Sequence, residues 1–359
     1  PDFCRKDGVI VEIPGKRYRR RAGMGIGITS GVGPAWTEPG DGTSSCALLP
    51  EAARETGRAK HSSRGRLCRP APDAARDHRA ATMRPGRHCG LGNSGMENNG
   101  RARRIAVISG KGGVGKTVIA GNLAAALAST GCRTLVLDAD LGLANLDIVL
   151  GVDPEYTVED VLGGACSLDD ALVRTPEGFD LLAAGSGLQK HTLLSKNLAD
   201  GIEALLGELG PRYDIVLFDV GAGLGDVVLF FANLADRILV VVTPEPASLL
   251  DAYASIKVLR QLYGRHEFFL AVNRADPGNP RRVGNSIARH LRGVLARFVD
   301  ANQPQRMSLY LAGSLPQDPE VSRSIRNRKL LLETAPTAAS ARAICAMADV
   351  LRAGWTSRC

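Results

Sequence analysis

Two lysines and a threonine stand at fixed spacing in a glycine-rich run of this chain. The run is Gly110-Lys111-Gly112-Gly113-Val114-Gly115-Lys116-Thr117, and Val118 follows it. Glycines at this spacing let successive backbone N–H groups point at phosphate oxygens, and the positive end of a following helix adds to the attraction. Lys116 would reach the β- and γ-phosphates, while the Thr117 hydroxyl would bind Mg²⁺. The run therefore predicts a nucleotide site in which residues 110–118 contact the phosphates.

The segments on both sides of the run match this hypothesis. Residues 105–108 are apolar and predict a buried strand, and residues 117–129 predict a helix. A phosphate-binding loop requires this order of strand, loop and helix. The alternative, a glycine-rich turn without a ligand, is disfavoured because the full spacing is present.

Three aspartates follow apolar runs that we predict to be strands. Asp138 and Asp140 close residues 134–138, and Asp219 closes residues 213–219. In doubly wound sheets, ligands bind beyond the carboxyl ends of the strands. We therefore predict that Asp138 and Asp219 join Thr117 at the Mg²⁺, with Asp219 acting through water.

Asp140 lies two residues beyond Asp138, on the same face of an extended chain. We predict that it orients the attacking water, so that Lys111, Lys116 and Asp140 form the catalytic set. A strand-end aspartate can also be only a helix cap or a turn former. Two such strand ends beside a phosphate loop favour nucleotide chemistry.

Asn273 also ends an apolar run, at residues 268–273. Its amide could recognise an adenine edge, which makes it a candidate nucleotide contact. The alternative is an asparagine that only forms a turn.

Short apolar runs alternate with helical patterns from residue 104 onward. Near-continuous apolar strands are typical of a parallel sheet that is buried on both faces. We predict an α/β fold, a doubly wound and mostly parallel sheet in a single P-loop NTPase domain over residues 104–353. The predicted strands are 134–138, 215–219, 238–242 and 268–273, and the other predicted helices are 192–209, 225–235, 248–262, 283–299 and 338–352.

Residues 1–95 differ from the rest of the chain. They contain 17 Lys and Arg against 9 Asp and Glu, so their net charge is +8. This equals the net charge of the whole chain. Their mixture of Gly, Pro, Ser and Arg has no periodicity, so we predict a disordered basic extension. A nucleic-acid or membrane arm is one hypothesis for it. The hypothesis we favour is that translation starts at Met96.

No stretch is long and apolar enough for a transmembrane helix. The eight cysteines form no C-x-x-C pair and indicate neither a disulfide framework nor a zinc site. Reduced thiols are therefore expected, and we predict a cytoplasmic protein. Residues 96–359 hold 28 basic and 28 acidic residues, so the predicted domain carries no net charge. A protein that binds nucleic acid through this domain would need a basic surface, and we therefore expect no specific nucleic acid partner.

The glycine-rich run resembles the deviant Walker A motif of the MinD/ParA ATPases, and residues 137–147 resemble the switch segment of that family. Within the family, the chain is most similar to the flagellar-number regulators of the FlhG/FleN type. The segments that carry this similarity are 184–188, 221–226, 243–253 and 326–333. The match covers residues 104–352 and none of the extension.

The resemblance implies an ATP-dependent switch. ATP and Mg²⁺ would bring two copies together as a homodimer, Lys111 of each would cross to the phosphates of its partner, and hydrolysis would release them. A second cation at developing phosphate charge is the role of an arginine finger. Further implied partners are an FlhF-like GTPase, flagellar switch proteins or a transcriptional regulator. Residues 96–104 contain no recognisable copy of the short N-terminal motif that stimulates the GTPase in these regulators.

The resemblance also implies a weak, reversible contact with the inner face of the cell membrane through a C-terminal amphipathic helix. Residues 338–359 place Ile344, Met347, Val350 and Leu351 on one side. Packing in the core explains that stripe equally well.

Several functional hypotheses remain open from the sequence. Our leading hypothesis is an ATP-hydrolysing switch for flagellar number or placement. A MinD-type division-site regulator would have a longer basic C-terminal helix, and a ParA-type DNA partitioning ATPase would have a basic domain. A hypothesis of another class is an ATP-gated scaffold without hydrolysis, or a transcription-factor antagonist.

Overall fold

The computed structural model describes residues 12–13, 16–17, 101–140, 146–185, 195–300 and 305–355. Contacts divide the chain into two units, Pro1–Arg87 and His88–Cys359. In the first unit, strands β1 (Glu12–Ile13) and β2 (Lys16–Arg17) pair in antiparallel fashion. Apart from these four residues, the predicted extension over 1–95 lies outside the described residues. Its disorder and the start at Met96 stay predictions.

The second unit is built on one eight-stranded sheet. Its strands are β3 (Arg103–Ser109), β4 (Thr134–Ala139), β5 (Leu172–Arg174), β6 (Asp180–Leu182), β7 (Ile215–Ala222), β8 (Arg237–Val242), β9 (Glu267–Ala275) and β10 (Ser308–Pro316). The order across the sheet is β10-β9-β8-β3-β7-β4-β6-β5. The pair β5 and β6 is antiparallel, and the other neighbours are parallel.

Helices cover both faces of this sheet. They are α1 (Lys116–Ser129), α2 (Leu146–Leu150), α3 (Val158–Leu162), α4 (Leu168–Ala171), α5 (Lys196–Leu209), α6 (Asp226–Leu234), α7 (Pro246–Tyr263), α8 (Pro280–Phe298), α9 (Pro319–Arg326), α10 (Leu331–Thr334) and α11 (Ala339–Arg352). Successive residues of a strand face opposite sides. In β3, Ala106 and Ile108 therefore pack in the core with α5 to α8, whereas Ile105 and Val107 pack with α1, α10 and α11.

The predicted doubly wound, mostly parallel α/β fold is thus confirmed. The predicted strands correspond to β3, β4, β7, β8 and β9. The predicted helices correspond to α1, α5, α6, α7, α8 and α11. Residues 192–194 of the predicted helix 192–209, and parts of the family-like segments at 141–145 and 186–188, lie outside the described residues.

The register of the three central strands assembles the carboxyl edge. Strand β7 lies between β3 and β4, with Val107 opposite Asp219 in one pairing and Asp138 opposite Asp219 in the other. Two of the predicted site aspartates are therefore direct neighbours across adjacent strands. The phosphate loop leaves the same edge, because it begins where β3 ends at Ser109.

Helix α11 uses its apolar stripe for the core. Ile344, Met347 and Leu351 are buried against β10 and α1, whereas Val350 is 37% exposed. These three side chains are therefore occupied by packing and do not offer a membrane-binding face. Among the described residues, every helix is too short or too polar to span a bilayer.

Candidate functional site

The loop between β3 and α1 is shaped by glycines in left-handed backbone conformations. Gly113 has a φ of 73° and Gly115 a φ of 96°, and side chains rarely tolerate this region. The Ser109 hydroxyl donates to the Lys111 carbonyl oxygen at 2.7 Å, which closes the turn at the end of the strand. Gly115 is the N-cap of α1 and supplies no capping side chain. The first backbone N–H groups of α1 therefore remain available to a ligand, as an anion site requires.

Two glycines of the loop are needed for close packing. A Cβ atom at Gly110 would lie 2.5 Å from the Asp251 Cβ atom and 2.6 Å from its backbone, which belongs to α7. A Cβ atom at Gly115 would lie 2.4 Å from the Asn273 amide nitrogen. The loop is therefore held between α7 on one side and the end of β9 on the other.

Asn273 binds the loop directly. Its side-chain nitrogen donates to the Val114 carbonyl oxygen at 2.7 Å, and its side-chain oxygen accepts from the Arg274 N–H at 2.9 Å. Arg274 itself has a φ of 54°, a rare conformation for a residue with a side chain. Both ends of the Asn273 amide are engaged, so this conformation assigns it to holding the loop. Recognition of adenine by Asn273 stays a prediction.

Lys116 lies inside the site rather than at its rim. It is 8% exposed, and this burial lowers the pKa of its ammonium group, while the charges of Asp219 and Asp140 act in the opposite direction. The structure therefore brings the predicted phosphate-binding lysine together with two of the predicted carboxylates.

Asp219 is a buried acid of the site with a raised pKa. It is 2% exposed, and burial, with the charge of Asp138, raises the pKa of Asp219 to about 7. The Thr117 side chain is hydrogen bonded to it. Its Oδ1 atom is buried and has no hydrogen-bond partner among the described residues. A buried carboxylate oxygen without a partner requires an explanation, and a bound cation is one.

Asp138 and Asp140 are linked to each other at the end of β4. Asp138 is buried and accepts from the backbone N–H groups of Asp140 at 3.0 Å and Leu146 at 3.4 Å. It therefore fixes the chain that leaves the strand. The Asp140 carboxylate lies against β7, since a Cβ atom at Gly221 would be 3.1 Å from its Oδ1 atom.

The donors of this site fit a hydrated magnesium ion. Mg²⁺ keeps several waters and uses one or two carboxylates together with substrate phosphates, rather than a cage of protein ligands. In the described part of the chain, no cluster of three or more His, Cys, Asp or Glu residues could hold a metal ion. The Thr117 hydroxyl and the unpartnered oxygen of Asp219 would supply only a few protein ligands. This agrees with a hydrated ion and not with a cage of protein ligands.

Lys111 lies at the rim of the site and faces outward. Its side chain is 40% exposed, and its Nζ atom is 2.5 Å from Glu245 Oε2. This hydrogen bond and the lysine charge lower the pKa of Glu245, and Arg274 contributes in the same direction. The second lysine is thus separate from Lys116 and is held on the surface by a carboxylate at the start of α7.

Sequence reasoning missed two residues of this site. Glu245 lies in one of the family-like segments, but the sequence analysis assigned it no role. Its position directly before Pro246, which begins α7, was the available signal. Asn122 is buried, with its nitrogen donating to the Val118 carbonyl oxygen at 2.8 Å and its oxygen accepting from the Leu332 N–H at 3.0 Å. A lone asparagine in a helix of alanine and leucine was the signal for this link between α1 and α10.

Comparison with known proteins identifies relatives of the whole site. An AAA domain family matches residues 102–270. The antiactivator FleN of Pseudomonas aeruginosa is 38% identical over 245 residues, which cover 68% of this chain and 84% of FleN. The flagellum site-determining protein YlxH of Helicobacter pylori is 32% identical over 244 residues, which cover 67% of this chain and 79% of YlxH.

The fold is similar to solved structures of the same kind. The septum site-determining protein MinD of Pyrococcus horikoshii, in complex with Mg-ADP, superimposes with a TM-score of 0.55 at 27% sequence identity. This match covers 70% of the present chain and 96% of that MinD. Together with the phosphate loop and its aspartates, these relatives show that the chain belongs to the MinD/ParA family of P-loop ATPases, close to its FlhG/FleN members.

Proposed function

We propose that this protein is a switch that binds and hydrolyses ATP, dimerises when ATP is bound, and controls flagellar number or placement. The observation that carries the proposal is the separation of the two lysines. Lys116 is buried at the start of α1, whereas Lys111 lies exposed at the rim. A lysine in this outward position could serve a phosphate group bound to a facing copy.

The chain's own residues fit the steps of nucleotide binding and hydrolysis. The first backbone N–H groups of α1 and the Lys116 ammonium group would hold the phosphates, with the Thr117 hydroxyl and Asp219 on the side of the metal. When bound, Mg²⁺ neutralises charge that develops on the phosphates. Asp140 lies at the same edge and would accept a hydrogen bond from the attacking water, which orients it.

The surface around the phosphate loop supports a facing partner. Leu250 is 61% exposed on the second turn of α7, beside the Asp251 that packs on Gly110. Leu224 is 38% exposed and follows Gly223, whose N–H donates to the Ser109 carbonyl oxygen at 2.9 Å. These two leucines are the side chains beside the loop that we propose contact a facing copy.

Dimerisation can be measured by sedimentation of the protein with ATP and Mg²⁺, with ADP, and without nucleotide. We expect the unaltered protein to dimerise only in the sample with ATP and Mg²⁺. In that sample, Asp140→Ala should remain trapped as a dimer and Lys111→Ala should stay a monomer. Lys329→Ala is the matched control, because Lys329 is an exposed lysine that also pairs with a glutamate, Glu333. A dimer that forms equally without ATP would contradict the switch.

Hydrolysis gives a second test of the shared site. Because Lys111 would act on the partner's nucleotide, specific ATPase activity should rise with protein concentration until dimerisation is complete. A constant specific activity across a wide dilution series would exclude action between protomers.

The flagellar role is supported by the similarity to YlxH, and it needs a test in cells. Deletion of the gene followed by a count of flagella per cell should show an altered number or position, restored by the intact gene and not by Lys111→Ala. Normal flagella with misplaced septa or lost chromosomes would favour the MinD-type or ParA-type alternative instead.

A second candidate function is antagonism of a transcriptional activator, which the similarity to an antiactivator favours. It predicts that the effect on flagella disappears when transcripts of flagellar genes are driven from an unrelated promoter. Contact with an FlhF-like GTPase, flagellar switch proteins or the membrane stays a prediction.

A further inference from the structure

The outer face of α8 is basic over its whole length. The helix contains five arginines and no aspartate or glutamate. Its inner face is apolar and packs in the core through Gly284, Ile287, Ala288, Leu291 and Leu295. Arg281, Arg282 and Arg289 are exposed and lie on the side of the helix opposite this apolar face.

A polar groove of about 480 Å³ lies on the first three turns of this face. It is lined by Asn279, Arg281, Arg282, Asn285, Ser286 and Arg289. Every one of these side chains can donate a hydrogen bond, and none is acidic. Arg282 and Arg289 are seven residues apart, about 10 Å along the helix axis. The groove therefore presents two ends of positive charge with amide and hydroxyl groups between them.

The groove arginines differ from other arginines of α8 and of the domain. Arg292 donates to the Leu309 carbonyl oxygen at 2.7 Å, and Arg297 lies over the Phe298 ring. Elsewhere on the surface, Arg133 and Arg212 each bind carboxylates. Within the described ranges, Arg281, Arg282 and Arg289 form no ion pair. They are the arginines of this helix that remain available to a partner.

The helix is fixed beneath the groove. Gly284 approaches β10 so closely that a Cβ atom would lie 2.9 Å from the Ser314 Cβ atom. The Ser314 hydroxyl donates to the Pro280 carbonyl oxygen at 2.6 Å, and the Asn279 side chain caps the helix by accepting from the Arg282 N–H. Because these contacts hold the backbone beneath the first half of the groove, binding of a ligand there would cost little backbone conformational entropy.

We propose that the groove on α8 binds an acidic peptide segment of a partner protein. Paired carboxylates are the groups that the planar, fork-shaped guanidinium donors of arginine match best in a protein partner. The groove is confined to one helix, and its lining has no aromatic side chain on which a base could stack. Its lining also has no apolar side chain that could enter a bilayer. An acidic peptide therefore fits it better than a nucleic acid or a membrane.

The groove can be tested with a labelled oligoglutamate peptide that carries a photo-crosslinker, added to the full-length protein. Crosslinked peptides mapped by mass spectrometry should lie within residues 279–292. This map separates the groove from the basic residues 1–95, which can also attract an acidic probe. Crosslinks confined to residues 1–95 would overturn the proposal.

Matched triple variants make the test quantitative. The groove variant combines Arg281→Gln, Arg282→Gln and Arg289→Gln. It should capture the peptide at the groove about tenfold more weakly, or worse. The control variant combines Arg323→Gln, Arg342→Gln and Arg352→Gln, which removes the same charge from α9 and α11. It should leave crosslinking at the groove unchanged. ATPase activity should be unaltered in both, and far-UV circular dichroism should show that both remain folded. Equal loss in the two variants would contradict a specific groove.

Two further probes decide on the class of partner. A labelled single-stranded oligonucleotide and vesicles with an anionic lipid should bind no more weakly to the groove variant than to the control variant. If either probe depends on the groove arginines more strongly than oligoglutamate does, the acidic-peptide proposal is wrong.

Discussion

The side chain of Asn273 donates a hydrogen bond of 2.7 Å to the carbonyl oxygen of Val114. The two residues are 159 positions apart in the chain, yet this contact fixes the phosphate loop to the carboxyl end of β9. The same amide accepts from the Arg274 N–H, where the backbone is in a left-handed conformation. The strained residue and the loop are therefore held by one side chain, which makes Asn273 a positioning residue for the nucleotide site.

Substitution Asn273→Ala should loosen the loop. It removes two hydrogen bonds and leaves the partly buried Val114 carbonyl oxygen without its donor, so we expect a loss of roughly 1–3 kcal/mol in unfolding free energy. Affinity for ATP should fall about tenfold, because the loop is no longer preorganised. Chemical denaturation and nucleotide titration measure the two effects. Asn285→Ala, at an exposed asparagine on α8, is the control and should change neither.

The phosphate loop and the central strands could be predicted because their signals are local. Residues 110–117 carry their function in consecutive positions, and β7 (Ile215–Ala222) contains a continuous apolar run, residues 215–218, that leads directly into Asp219. The partners of those residues could not be predicted from local patterns. Glu245 meets Lys111 across 134 positions and Leu332 meets Asn122 across 210, and only the folded sheet brings them together.

The missed elements have a different cause. Strand β10 lies at the edge of the sheet and mixes Tyr310, Gly313 and Ser314 with apolar residues, so it lacks the continuous apolar run of a central parallel strand. Strands β5 and β6 are three residues long, too short for periodicity to be visible. Edge position and short length therefore explain why the sheet has more strands than the sequence predicted.

Substitution Gly115→Ala should abolish nucleotide binding without unfolding the domain. The new Cβ atom would lie 2.4 Å from the Asn273 nitrogen at a φ of 96°, so either the loop or Asn273 must move. We expect no measurable ATP binding by titration and retained far-UV circular dichroism. Gly207→Ala is the matched control. Gly207 lies within α5 with open space around it, and alanine there should stabilise by about 0.5–1 kcal/mol.

Substitution Glu245→Gln tests whether the rim carboxylate restrains Lys111. The ion pair is exposed, so its loss should change unfolding free energy by less than about 1 kcal/mol. If Glu245 holds Lys111 away from a partner, the variant should dimerise at lower ATP concentration. Glu333→Gln removes the comparable acceptor of Lys329 and should not shift the ATP concentration for dimerisation. Unchanged or weaker dimerisation by Glu245→Gln would show that Glu245 does not restrain the lysine.

Asp219 should make the stability of the nucleotide-free protein depend on pH. Its folded pKa of about 7 lies above the usual value of 3.8, so the folded state binds this proton more tightly than the unfolded state. Its contribution is favourable at low pH and is lost as pH rises from about 4 through 7. In the presence of a chelator, the unfolding free energy of Asp219→Asn should therefore exceed that of the unaltered protein by roughly 1–3 kcal/mol at pH 8. The difference should be smaller at pH 5. A difference independent of pH would exclude this origin.

The C-terminal end of α11 is held by Arg237, whose guanidinium group donates to the Leu351 carbonyl oxygen and, at 2.6 Å, to that of Ala353. The same group lies 4.3 Å from the centre of the Trp355 ring and 5.2 Å from that of Phe269. Trp355→Ala should therefore release the end of the helix. We expect the unfolding free energy to fall by about 1–3 kcal/mol and amide exchange in the last turns of α11 to become faster. ATP affinity should be unchanged. Trp355→Phe keeps a ring for Arg237 and should recover most of the protection, whereas equal exchange in both variants would show that the ring does not hold the helix.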